Sequence, residues 1–211
     1  MATRIIVADD HPLFRDAITH LLRRAIKDIE VSQVESVESL LEKLSKKPLP
    51  SLVLLDLKLS DTNGMDGLLA LKKLHPSLPV LIISAYDDNA VIRSAMQYGA
   101  SGFISKSLEM DRMADAILAV LDGDLWFPEP GVQMPPSEAT GLEALTPTQL
   151  RVLSLLREGK PSKEMASIMN ITEATVKAHL TEIFRKLKVR NRTQAVLATK
   201  DLDLPEEQMS S

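Results

Sequence analysis

The chain has 211 residues, 45% of them apolar and 26% charged, with no cysteine. That balance fits one large or two small soluble globular domains and excludes collagen-like, coiled-coil and wholly disordered chains, while the missing thiols exclude a disulfide framework, a thiolate zinc site and a cysteine nucleophile. The net charge of −4 is unevenly spread: residues 1–122 are net −3, 123–144 net −4, 145–200 net +7 and 201–211 net −4.

In chain order, Ile5–Ala8, Glu30–Val34, Leu52–Leu55, Val80–Ile83 and Gly102–Ile104 read as strands. Amphipathic stretches near 12–27, 37–46, 64–74, 88–98 and 108–122 separate and follow them. Three of the strands are unbroken apolar runs, as expected where helices cover both faces of a parallel sheet. Five βα units with short connections predict a doubly wound, flavodoxin-like α/β domain over residues 1–122. No run approaches the ~20 apolar residues that a bilayer-spanning helix needs. Met1–Ala8 lacks the layout of a signal peptide, so a cytoplasmic protein without a membrane partner is expected.

Gly123–Ala144 changes character, with Pro128, Pro130, Pro135 and Pro136 and no basic residue, and reads as an acidic linker. Trp126-Phe127 at its start is expected to pack back on a domain rather than bind a ligand. From Leu145 the pattern is wholly helical. Thr146-Pro147-Thr148-Gln149 has the form of a capping box with Pro at the first helical position, opening a helix to about Arg157. Ser162 is expected to cap a short second helix to Met169. Asn170 suits left-handed geometry, Thr172 caps a third helix to Leu187, and a fourth covers about 192–200. The acidic tail, 201–211, is expected to be disordered.

Sites in open α/β sheets lie outside the carboxyl ends of the strands. There the first strand delivers Asp9 and Asp10, the third Asp56, the fourth Ser84 and the fifth Lys106. Each has an ordinary explanation as a helix cap, a turn residue or a solvated charge; the conjunction at four strand ends does not. Gathered carboxylates repel and require a cation. Hard oxygen ligands suit Mg²⁺, and a carboxylate beside such an ion suits phosphoryl transfer, with an Asp as nucleophile.

Asp9-Asp10, LLDLKL around Asp56, Gly64, Ser84-Ala85 and GFISK ending at Lys106 resemble the receiver domain of two-component response regulators. The resemblance implies that Asp56 accepts a phosphoryl group from the phosphohistidine of a sensor histidine kinase. It implies Mg²⁺ held by Asp10, Asp56 and the backbone carbonyl of Lys58, with Asp9 acting mainly through a water on the metal. It gives Ser84 and Lys106 the phosphoryl oxygens and makes Phe103 an aromatic switch that rotates inward as Ser84 moves. Ser60 stands where the family usually has Pro, which predicts a looser loop, and Ser107 stands where many receivers have a cis-Pro. Lys58 and Tyr86 flank the expected path of the hydrolytic water, where their bulk is expected to slow loss of the phosphoryl group.

On the third C-terminal helix Val176, Leu180, Ile183, Phe184 and Leu187 form the stripe expected to be buried. Lys177, Thr181, Arg185 and Lys188 form a second stripe, which suits a solvated helix or, within the +7 block, a helix in the major groove of DNA. Residues 145–200 also resemble a LuxR-type helix-turn-helix, so the whole chain is similar to the NarL/FixJ class of response regulators. That resemblance implies double-stranded DNA as partner and a homodimer when phosphorylated, formed through the fourth helix. It places Lys177, Ala178 and Thr181 at base edges and Lys163, Thr172, Thr175, His179 and Arg185 at phosphates. In the resting form the class implies that the receiver covers part of the recognition helix. His11, His20 and His75 show no metal-ligand spacing, and His11 is assigned a local role at the start of the first helix. The resulting expectation is a phosphorylation-dependent transcription regulator rather than an enzyme. An orphan regulator that binds DNA without phosphorylation, or a metal-dependent phosphohydrolase, is the alternative.

Overall fold

Five short strands make up the sheet, of which the last three are apolar runs ending in a polar residue: β1 Thr3–Ala8, β2 Ile29–Val34, β3 Leu52–Asp56, β4 Val80–Ser84 and β5 Gly102–Ser105. A computed structural model describes residues 3–62, 65–128 and 141–200 of the chain. The strands are all parallel in the order β2-β1-β3-β4-β5. Every residue of β3 and β4 is buried, which is why both read as continuous apolar runs. Helices α1 Pro12–Ala25, α2 Val37–Leu44, α3 Asp66–Leu74 and α4 Asn89–Gln97 fill the crossovers, and α5 Met110–Leu121 follows β5. One cluster, including Ile5, Val7, Ile18, Leu22, Leu54, Leu81, Ile104 and Ile117, seals α1 and α5 onto the sheet.

The chain divides into two compact units, Met1–Pro135 and Pro136–Ser211. Ordered packing in the first runs past residue 122, where the composition placed the start of the linker. Trp126 bridges Gly102 in parallel fashion, its carbonyl accepting from the Phe103 N–H at 2.7 Å and its N–H donating to the Ser101 carbonyl at 3.1 Å. Only glycine fits at position 102, because a Cβ there would lie 2.6 Å from the Trp126 carbonyl oxygen and 2.7 Å from Leu81 Cδ1. Phe127 is buried, so the aromatic pair packs on its own unit as expected.

The second unit contains a 3₁₀ turn at Leu142–Ala144 and helices α6 Pro147–Arg157, α7 Ser162–Met169, α8 Glu173–Leu187 and α9 Arg192–Ala198. Thr146 and Gln149 form the reciprocal capping box at α6. The start of α7 differs from expectation. Pro161 is the N-cap, with extended geometry at φ −69° and ψ 154°, and Ser162 is already inside the first turn and makes no side-chain cap. Asn170 adopts φ 53° and ψ 42°, which turns the chain into α8, and the Thr172 hydroxyl accepts the Thr175 N–H. Helix α9 stops two residues short of 200, because Thr199 leaves helical geometry. Gly64, residues 129–140 of the linker and the tail 201–211, which was expected to be disordered, lie outside the described residues.

Candidate acidic site and nucleic-acid interface

The site is assembled by strand register. Ala8 pairs with Leu55 and Asp56 with Ile83, so Asp9, Asp56 and Ser84 leave neighbouring strands at one level, on either side of the point where strand order reverses. All three are buried. Two buried carboxylates side by side repel, and the fold answers with one cation. Lys106 Nζ lies 2.7 Å from Asp56 Oδ2 and 2.7 Å from Asp9 Oδ2. Burial of the ammonium opposes its charge, but the contacts with Asp56 and Asp9 prevail and hold Lys106 above the usual lysine range. The Phe14 ring, 4.8 Å from Nζ at its centroid, supports the ammonium from α1.

The remaining carboxylate atoms are also engaged or poised. Asp56 Oδ1 accepts the Lys58 N–H at 3.0 Å, and Asp9 Oδ1 accepts the His11 N–H at 2.8 Å. Asp9 Oδ2 and Asp10 Oδ1 are buried, the first 2.7 Å from Lys106 Nζ and the second 2.7 Å from His11 Nδ1. Asp9, Asp10, His11 and Asp56 each offer one ligand atom, and these atoms lie within 4.8 Å of one another. Three clustered carboxylates with buried oxygens fit a hard divalent cation.

His11 therefore does more than start a helix. Its Nδ1 is 2.7 Å from Asp10 Oδ1 and 3.2 Å from Asp9 Oδ1, so its local role at the start of α1 includes contact with the acid pair. Pro12 at the first helical position holds His11 as the extended N-cap of α1, directly beside the acid pair. Adjacency to Asp9-Asp10, rather than spacing to other histidines, was the available signal.

Ser84 Oγ accepts the Tyr86 N–H at 3.0 Å, which leaves its own O–H to donate elsewhere. Phe103 is fully buried on β5, so its ring already occupies an inward position. Exposed Tyr86 receives the Lys58 ammonium 5.7 Å from its ring centroid, joining the two flanking residues. The loop after β3 is tethered despite Ser60. Asp61 Oδ1 and Oδ2 accept the Val37 and Glu38 N–H groups at the start of α2, each at 3.0 Å. Burial works to raise the Asp61 pKa, yet the backbone hydrogen bonds outweigh it and hold the carboxyl below its ordinary value.

In the second unit, Val176, Leu180, Ile183 and Phe184 are buried and Leu187 is half-buried. Lys177, Thr181 and Arg185 are half-buried, and exposed Lys188 lies beyond α8 as its left-handed cap at φ 56°. Lys163, Thr172 and Thr175 are exposed. Burial keeps the half-buried His179 imidazole below its ordinary pKa despite the Glu182 carboxylate nearby. Ala178 is the exception among the expected base-facing positions. Its methyl, expected to meet a base edge, is 9% exposed. Reading the helix by stripe also overlooked Glu182, whose Oε2 lies 2.7 Å from Arg185 Nη2.

Comparison with known proteins agrees with both halves. Residues 5–118 match the response regulator receiver domain family, and residues 143–199 match the bacterial regulatory proteins of the luxR family. The chain belongs to the response regulators. It is 38% identical to the glycerol metabolism activator of Pseudomonas putida, over 95% of this chain and 96% of that one. A LuxR family DNA-binding response regulator from Silicibacter pomeroyi is 33% identical, with a TM-score of 0.54 over 60% of this chain and 97% of that one. A structure of two RcsB dimers bound to two parallel DNAs shares the fold at 22% identity, with a TM-score of 0.57 over 96% of this chain and 100% of that one. A receiver joined to a LuxR-type DNA-binding domain makes this response regulator a DNA-binding transcription regulator of two-component signalling, not an enzyme. Among the described residues, no helix is long and apolar enough to cross a membrane.

Proposed function

We propose that Asp56 is the phosphoacceptor of this regulator and that its phosphodonor is the phosphohistidine of a sensor histidine kinase. The observation that carries the reading is Lys106 bridging Asp56 and Asp9 at 2.7 Å each, at the carboxyl ends of the central strands. An Asp56 carboxylate oxygen attacks phosphorus; the O–P bond forms, the N–P bond to the donor imidazole breaks, and the imidazole leaves with its electron pair and takes up a proton. Lys106 is the cation that the departing negative charge of Asp56 leaves free for a phosphoryl oxygen, and the Ser84 hydroxyl is the second donor. Asp10, Asp56 and the Lys58 backbone carbonyl would hold Mg²⁺, with Asp9 beside them. That ion supplies charge neutralisation at the phosphoryl oxygens when bound.

Phosphorylation draws Ser84 toward Asp56 and biases a two-state element through Phe103. The output is binding of double-stranded DNA by a homodimer formed through α9, in the cytoplasm. Lys177 and Thr181 read base edges, while Lys163, Thr172, Thr175, His179 and Arg185 meet phosphates. The working division is a receiver over 1–122 with the Trp126 strap, a linker to 144 and a DNA-binding domain over 145–200.

Incubation with a small phosphodonor and Mg²⁺, followed by intact mass, tests the reading. One phosphoryl group is expected on the wild type and none on Asp56→Asn. A wild type that takes up none would instead indicate a regulator that works without phosphorylation.

A further inference from the structure

Helix α8 meets a polyanion in the reading above, yet it carries a carboxylate in mid-helix. Glu182 holds Arg185 through one guanidinium nitrogen at 2.7 Å, both side chains being little more than one-third exposed. The Arg185 Nε is buried and has no hydrogen-bond partner among the described residues. The pair is therefore only half of the two-pronged contact that a guanidinium makes with its best acceptors, and a phosphate oxygen competes for it on good terms. When Arg185 leaves, Glu182 remains as an unpaired charge facing DNA.

In the major groove that charge meets phosphates, base acceptors and one amino donor per base pair, adenine N6 or cytosine N4. Adenine N6 stands beside the N7 acceptor of the same base, which repels a carboxylate, whereas cytosine N4 has no such acceptor on its own base and is the donor that a Glu side chain accepts from. Repulsion from phosphates is the same on any duplex, whereas the amino group is present only where a cytosine stands at the right step. An acid in this position thus weakens binding everywhere except at matching sites.

We propose that Glu182 is a specificity-determining residue. It pairs with Arg185 in the free protein and, once Arg185 turns to a phosphate, selects against duplexes that offer its carboxylate no cytosine amino group. The inference rests on the DNA-binding reading given above. Glu158, an exposed acid at the end of α6, provides the comparison, since its removal changes net charge equally without touching α8.

The experiment uses the full chain, treated with a small phosphodonor and Mg²⁺, as wild type, Glu182→Gln and Glu158→Gln. Affinity for a random-sequence duplex is measured across a NaCl series, and base preference is measured by selection from a randomised duplex pool. Glu182→Gln is expected to bind the random duplex about fivefold more tightly, with an unchanged salt slope, because Arg185 meets its phosphate in both proteins and only the unpaired carboxylate is gone. Its selected sites should lose a cytosine preference at one position, or exchange it for adenine, which Gln reads. Glu158→Gln should match the wild type in both measurements. The proposal is overturned if Glu182→Gln leaves affinity and base preference unchanged, or if Glu158→Gln reproduces its effects. A wild type with no salt-dependent DNA binding would overturn the DNA-binding reading itself, a result distinct from wild-type binding that Glu182→Gln fails to alter.

Discussion

The Lys106 ammonium lies 2.7 Å from Asp56 Oδ2 and equally close to Asp9 Oδ2, so one cation serves carboxylates that follow two different strands. Its side chain is 16% exposed and theirs 3%, which makes the three charges interdependent.

Replacing Lys106 with Met leaves two buried carboxylates without their cation. Loss of one partner from such a set costs about 3 kcal/mol, so the first unit should unfold at correspondingly lower denaturant at pH 8 without divalent ions. The Lys106 pKa is raised above its ordinary 10.5 on folding. Its contribution is therefore complete below that value and is lost as pH rises through the folded-state pKa. Denaturant midpoints of wild type and variant should converge above pH 10.5, and a constant gap across that range would contradict the ion-pair account.

Added Mg²⁺ should stabilise the same unit by linkage, about 2.7 kcal/mol at a concentration one hundred times its dissociation constant. Asp10→Asn and Asp56→Asn should flatten this dependence, because each removes a ligand charge. Thermal midpoints over a Mg²⁺ series, with and without chelator, provide the check. Equal Mg²⁺ responses in wild type and both variants would place the ion elsewhere.

Lys58 and Tyr86 meet across the loops that follow β3 and β4, with the ammonium 5.7 Å from the ring centroid. An exposed cation–π contact contributes about 0.5–1 kcal/mol, so opening it should speed loss of the phosphoryl group about two- to fivefold. Timing dephosphorylation of Lys58→Ala and Tyr86→Ala by phosphoprotein gel tests this, and an unchanged half-life in both would show that the pair does not shield the site.

Much of this site was legible because strand ends are easy to find. Leu52–Leu55 and Val80–Ile83 are unbroken apolar runs, and Asp56 and Ser84 follow them directly. Register then does the rest, because parallel pairing of β1, β3 and β4 brings successive carboxyl ends to one level. The parts that escaped depend on tertiary contact. His11 joins the acids through its ring orientation, Asp61 reaches 24 residues back to α2, and Ala178 is buried although helix periodicity does not register it. Ser162 failed as a cap because Pro161, fixed near φ −69°, already holds the extended position ahead of the helix.

Asp61→Ala removes a carboxylate that accepts from both Val37 and Glu38 at the α2 start. Lost caps cost about 1 kcal/mol, so the variant should unfold at lower urea at pH 7. The wild-type carboxyl titrates below its ordinary 3.8 in the folded state. Its contribution is present above that value and lost as pH falls through the folded pKa. The two proteins should thus become equally stable at the acid end of a pH series. A gap that persisted there would mean the loop, not the charged cap, had been damaged.

Lys177 and Lys163 separate two kinds of DNA contact. Lys163 is exposed on α7 and is assigned to the phosphate backbone; Lys177 lies half-buried on α8, 3.1 Å from Glu173, on the face assigned to base edges. Lys163→Ala should weaken binding to selected and random duplexes alike and make the salt slope shallower by about one. Lys177→Ala should cost about 1–3 kcal/mol on the selected site and relax preference at one base pair, because base contacts rather than phosphates carry sequence. Fluorescence anisotropy with both duplexes across a salt series distinguishes them. If Lys177→Ala instead lowered both affinities equally with no change in base preference, Lys177 would be a phosphate contact, and the reading edge of α8 would have to be sought nearer Thr181.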